Sequence, residues 1–224
     1  MYTNEGLVNH CKWALHSKTK YMWGGIMRTI TSEYIKLLSG IPAYKEQYPV
    51  SRINNLNEFV GKGYYGCDCV GLIKSYYWSG NLNGGGGSKY YGKPGFPDVN
   101  AHGMYNAATV KGSIGTLPNI AGLILYSKTH PHVGVYIGNG VVIECTLSKR
   151  GDGVVLTHLN DFKWEHWFEC PYISYTPIES IDEIANQVIR GEWGVGNARK
   201  ERLTKAGYEY DKVQRRVNEI LRGK

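Results

Sequence analysis

Two thiols flank a carboxylate in Cys67-Asp68-Cys69, and an apolar, aromatic run follows from Val70 to Trp78 that is long enough for a helix. A helix opening at Cys69 puts the sulfur at the positive end of the helix dipole, beside backbone N–H groups that lack acceptors. That setting turns a thiol into a nucleophile near neutral pH. The nucleophile needs a base, and the candidate is His132, at the head of the run His132-Val133-Gly134-Val135-Tyr136-Ile137-Gly138-Asn139-Gly140. With Gly138-Asn139-Gly140 as a three-residue hairpin loop, Val135 faces Ile143 and Val133 faces Cys145, which collects the apolar residues on one side. His132 and Glu144 then share the other side as a diagonal pair about 7 Å apart by backbone. A two-residue Asn-Gly turn would send them to opposite faces. The spacing therefore predicts Cys69 as nucleophile, His132 as base and Glu144 as the group that orients the imidazole.

The elements around these residues follow from periodicity. Leu7 to Leu15 and Thr31 to Leu38 have helical spacing, Tyr21-Met22-Trp23-Gly24-Gly25 reads as a turn, and Val50 to Gly66 is polar and weakly patterned. The consecutive glycines Gly84 to Gly87 predict a loop. Strands are predicted at Leu123–Tyr126, Val133–Ile137, Val141–Glu144 and Val154–Thr157. Helices first and an antiparallel sheet afterwards is the α+β arrangement. Composition shifts near Pro177, after which Ser180 to Glu183 has the form of a capping box. Three short helices follow, capped by Ser180, Asn197 and Asp211, making a small bundle. The domains expected are 1–175 and 180–222.

Other cysteines and histidines have plainer readings. Five cysteines without repeated spacing argue against a disulfide framework. Cys67 reads as a packed neighbour rather than a zinc ligand, since a structural site wants four ligands, and Cys11, Cys145 and Cys170 read as core. Tyr76, Tyr77 and Trp78 read as helix packing, with a groove wall as the alternative; Trp193 reads equally as a plug for the small bundle or a ligand contact. No metal or organic cofactor is called for. The net charge of +7 attracts polyanions, but no basic arm or base-reading motif points to a specific nucleic acid. Nor does any window reach the apolar length of a membrane insertion, and the first residues lack the pattern of a signal peptide.

The strings around Cys69 and His132, with Tyr21 to Gly25 upstream, resemble the NlpC-type cysteine peptidases of bacterial cell walls, a papain-like family. This resemblance covers roughly residues 1–175. It implies a papain-like domain, N-terminal helices packed on an antiparallel sheet, that hydrolyses an amide bond of the peptidoglycan stem peptide, commonly the one after D-glutamate. It also implies that Tyr21 helps hold the oxyanion, while Asp68 and Trp23 take part in substrate binding. The chain departs from the family pattern at Val70, where Ser is usual, at Glu144, where His is usual, at Leu123, where an acidic residue is common, and in a longer stretch between Gly25 and Cys67. Residues Ile181 to Leu221, with Gly191-Glu192-Trp193-Gly194, resemble the Cpl-seven type wall-binding repeat, which implies attachment to peptidoglycan through the surface around Trp193 and Arg199. Together the two resemblances imply an endolysin-like protein, made in the cytoplasm, released by a holin and acting on the wall. An N-acetylmuramoyl-L-alanine amidase, a wall-binding protein without activity and an acyltransferase are the rival readings.

Overall fold

A computed structural model describes residues 2–80, 87–95, 97–175, 181–205 and 208–223, which fall into two compact units, Met1–Tyr175 and Thr176–Lys224. The first unit begins with α1 (Asn4–His16), in which Leu7, Cys11 and Ala14 recur at helical spacing on one face and are fully buried. Thr3 caps it, its hydroxyl accepting from Gly6 N–H. After β1 (Thr19–Tyr21) and β2 (Ile26–Thr29) come α2 (Ser32–Ser39), α3 (Val50–Asn57) and β3 (Tyr65–Cys67). Strand β3 lies between β1, parallel to it, and β2, antiparallel to it. Neither this small sheet nor α3 stands out in the sequence. In α3 only Leu56 is buried, so there is little apolar periodicity to read.

Helix α4 (Cys69–Trp78) is buried along its whole length. Its N-cap is Asp68, whose carboxylate accepts from Gly71 N–H at 2.6 Å. A side chain at Gly71 would place Cβ 1.7 Å from the carbonyl oxygen of Gly25, so the absence of one lets the 22–25 turn lie directly on the first turn of α4. Then follow α5 (Ala101–Ala107) and the strands β4 (Lys111–Ser113), β5 (Ile124–Ser127), β6 (His132–Gly138), β7 (Val141–Ser148), β8 (Gly151–His158) and β9 (His166–Phe168). They form one antiparallel sheet in the order β4-β9-β5-β6-β7-β8.

One face of that sheet presents Val133, Val135, Ile143 and Cys145 to α1 and α4. The opposite face packs Leu125, Tyr136 and Val142 on Trp164. With both faces covered, β5 is buried at every residue and loses the in-out alternation of a half-exposed strand. The unit is α+β. Strands β4 and β9 were not anticipated; each has three residues, too few to show a period.

The β6–β7 connection corrects the expected loop. Val135 does face Ile143, but Gly138 pairs with Val141, so the turn is the two-residue Asn139-Gly140, both at positive φ. Ile137 is the extra residue of a bulge between Tyr136 and Gly138. Adding one residue to one strand restores the parity that the shorter turn removes, and His132 and Glu144 stay on the same face.

The second unit consists of α6 (Ile181–Ile189), α7 (Gly196–Lys205) and α8 (Tyr210–Leu221). Ile184, Ala185, Val188, Leu203, Val213 and Val217 form its core. The expected Ser180 cap, the Pro177 boundary and most of the Gly84–Gly87 run lie outside the described residues. No helix among the described residues is long and apolar enough to cross a membrane.

Candidate active site

Cys69 is the first residue of α4 and lines a cleft of about 810 Å³ together with Tyr21, Trp23 and Asp68. Asp68 organises the helix start from both sides, accepting from Gly71 N–H at 2.6 Å and, across the 22–25 turn, from Gly24 N–H at 2.7 Å. The Asp68 carbonyl takes Leu72 N–H at 3.0 Å. Cys69 N–H, at the first position of the helix, has no acceptor within it. Burial raises the Asp68 pKa, against the charge of Lys74 and the bonds from Gly71, Gly24 and Val70.

The imidazole of His132 neighbours Cys69, which raises its pKa, and through Nε2 it is hydrogen-bonded to Glu144 Oε2 at 2.6 Å. The ring lies flat on Trp164, with centroids 5.6 Å apart and planes at 19°, and Phe162 meets it edge-on. Trp164 can come this close because position 134 is glycine, where a Cβ would stand 2.9 Å from the indole. Glu144 is fully buried yet fully used. Besides His132 it accepts from Thr157 Oγ1 at 2.9 Å and from Arg150 through Nε and Nη2, both at 3.1 Å. Although burial works against the ionised form, the bonds from His132 and Arg150 hold its pKa below the usual carboxylate value.

For His132 burial opposes protonation, but the neighbouring Cys69 and Glu144 raise the pKa to about 9. A raised folded-state pKa contributes stability in full below the ordinary histidine value near 6.5, and that contribution is lost as pH rises through about 9. We expect the His132 ring nitrogens, followed by NMR, to titrate near pH 9. A midpoint at 6.5 would show that the Glu144 and Cys69 contacts are not made in solution.

Tyr21 is fastened through its backbone. Its N–H donates to Asp152 Oδ1 at 3.0 Å and its carbonyl accepts from Arg52, which is paired to Asp152 at 2.7 Å. Burial and the neighbouring Cys69 and Asp68 raise the Tyr21 pKa, so the phenol remains an O–H donor.

Sequence reasoning missed Arg150, Trp164, Thr157, Arg52 and Asp152. Arg150 lies in the β7–β8 turn, where a cation is usually solvated, and nothing in its spacing points back to Glu144. Arg52 comes from α3, the helix without apolar periodicity. Cys67 is fully buried with its sulfur 3.3 Å from that of Cys145. Of the helix aromatics, Trp78 also lines the cleft. In the second unit Trp193 donates from Nε1 to Gln187 at 2.8 Å and meets Tyr208 edge-on. Arg199 donates to the Gly194 carbonyl at 2.9 Å and to Gln214 at 3.2 Å. Both side chains thus brace the Gly191–Gly196 turn, whatever else they touch.

Comparison with known proteins finds a family match in the second unit. Residues 182–221 match the CW_7 repeat. Over 43 residues the chain is 46% identical to the lysozyme of Streptococcus phage Cp-7, a stretch that is 19% of this chain and 13% of that protein's length. Among solved structures, the NlpC/p60 domain of the peptidoglycan hydrolase SagA aligns over 74% of this chain and 97% of its own, at 16% identity and a TM-score of 0.38.

Proposed function

We propose that this chain is a cysteine-dependent amidohydrolase of peptidoglycan, held on the wall by its CW_7 repeat. The observation that carries the reading is the placement of His132 between Cys69 and Glu144, hydrogen-bonded to the carboxylate at 2.6 Å, with the sulfur opening on a cleft. In this reading the thiol proton already rests on His132, and the thiolate sulfur adds to a stem-peptide carbonyl. Cys69 N–H and the Tyr21 hydroxyl donate to the oxyanion. His132 then protonates the leaving amine, and on the return step it deprotonates a water that releases the acyl group. Glu144, kept ionised by Arg150 and Thr157, holds the ring and offsets the charge of the imidazolium. Asp68 serves the cleft as the brace between Gly24 and α4, and Trp23, exposed at the cleft edge, is the contact for substrate. Trp193 and Arg199 are the proposed wall-facing region of the repeat.

Within this class we assign the amide after D-glutamate as the bond cut, with the N-acetylmuramoyl-L-alanine bond as the alternative. Purified wall incubated with the intact protein should yield peptide fragments with new amine ends, identified by mass spectrometry. New amine on the third stem residue supports the endopeptidase, release of whole stem peptides supports the amidase, and unaltered wall that nonetheless retains the protein leaves only a binding role.

A further inference from the structure

Two sulfurs meet behind the nucleophile. Cys67 ends β3, two residues before Cys69, and Cys145 follows Glu144 on β7. Both are free thiols and fully buried. Their Sγ atoms are 3.3 Å apart, the Cys67 thiol donating to the Cys145 sulfur. The Cys145 thiol in turn donates to the Cys67 carbonyl at 3.1 Å. The two strands belong to different sheets, so no backbone ladder joins them. Cys67 is held on both sides, paired with Tyr21 of β1 and Ile26 of β2, and Cys145 is paired with Val154 of β8. Each sulfur is therefore presented to the other by a strand whose position is fixed by its own sheet.

A disulfide has its sulfurs about 2.05 Å apart, so closing this pair from 3.3 Å takes an approach of about 1.3 Å, within reach of small rotations of two side chains. We propose that Cys67 and Cys145 are an oxidation site: when the chain folds in the presence of a small-molecule disulfide such as oxidised glutathione, they close into a disulfide that pins the strand leading into Cys69 to the strand carrying Glu144. One thiolate attacks the oxidant and expels one glutathione thiol, leaving a mixed disulfide. The second thiolate attacks that protein sulfur and expels the other glutathione. Two protein thiols thereby lose two electrons and two protons, and oxidised glutathione takes them up as two thiols. The exchange belongs to folding, because in the finished structure burial keeps an oxidant from both sulfurs. The bond ties positions 78 residues apart, a long loop whose closure restricts the unfolded chain strongly. Cys69 takes no part in it, and the site does not depend on the hydrolase reading above.

The test refolds the full chain carrying Cys69→Ala, reduced and unfolded in urea, into a buffer of reduced and oxidised glutathione, with refolding under dithiothreitol as the control. Cys69 is removed because it shares the tryptic peptide 63–74 with Cys67, whereas 129–149 contains only Cys145 and 1–12 only Cys11. Mass spectrometry of a non-reduced digest should find 63–74 joined to 129–149, with the mass of the pair lower by two hydrogens. The thermal midpoint of the oxidised chain should exceed that of the control by about 5 °C or more. Dithiothreitol should reverse the gain, and the chain that also carries Cys145→Ala should not show it. Should that chain fail to fold, Cys67→Ala serves instead, and the peptide map needs neither variant. Four results overturn the site: both thiols still open to alkylation after denaturation, glutathione left on Cys67, 63–74 joined to 1–12 in place of 129–149, or a Cys67–Cys145 bond that fails to raise the midpoint. None of these readouts involves catalysis, so they leave the hydrolase reading where it stands.

Discussion

Replacing Cys69 by alanine should lower wall hydrolysis by about 10⁴-fold or more, the scale seen when the nucleophile of a catalytic triad is removed, while the protein still sediments with purified wall. The two halves of this result separate because the residues of the CW_7 repeat, 182–221, do not include Cys69. No other thiol is placed to substitute. Cys11, Cys67, Cys145 and Cys170 are all at most 1% exposed, and burial raises the pKa of Cys11, Cys145 and, to about 12, Cys170. Thiols held protonated away from solvent are inert. Turbidity loss of a wall suspension measures the first half and co-sedimentation the second. Undiminished lysis by the alanine variant would move the chemistry to other residues.

Substitution of Glu144 has the second-largest expected effect, and it acts on both activity and stability. Glu144→Ala leaves the Arg150 guanidinium and the protonated His132 ring without their buried partner, a loss of about 3–5 kcal/mol when one member of a buried ion pair is removed. Urea unfolding measures it. Glu144→Gln keeps the shape and is the more telling variant. It should lower kcat/KM by about 10²–10⁴-fold, since the neutral amide neither fixes the ring nor offsets its charge. It should also bring the His132 titration down from about 9 towards the ordinary value. An unchanged titration with lost activity would separate the carboxylate from the imidazole and deny Glu144 its orienting role.

Much of the centre is legible in the chain because it depends on local rules. The N-cap Asp68, the apolar run behind Cys69 and the alternation Val133, Val135 place the sulfur at a helix start and the imidazole on one face of a strand. Even there a detail escaped. The two-residue Asn139-Gly140 turn and the bulge at Ile137 each shift the register by one, and their combined effect equals that of the three-residue loop expected. The alternation of a sequence reports the parity of a hairpin, not the way the parity is reached.

What the sequence by itself determined is therefore the chemistry on offer: a thiol at a helix N-terminus, an imidazole and a carboxylate on one strand pair, and a C-terminal repeat recognisable over its length. These follow from spacings of a few residues, where backbone geometry leaves few choices. The tertiary structure alone decided which groups make that chemistry work. Arg150 and Thr157 meet Glu144 only when β8 folds onto β7, and Trp164 reaches His132 from beyond β8. Arg52 arrives from a helix 31 residues away to hold Tyr21. Contacts between distant segments are selected by packing and by the cost of leaving buried charge unpaired, and neither leaves a period in the chain.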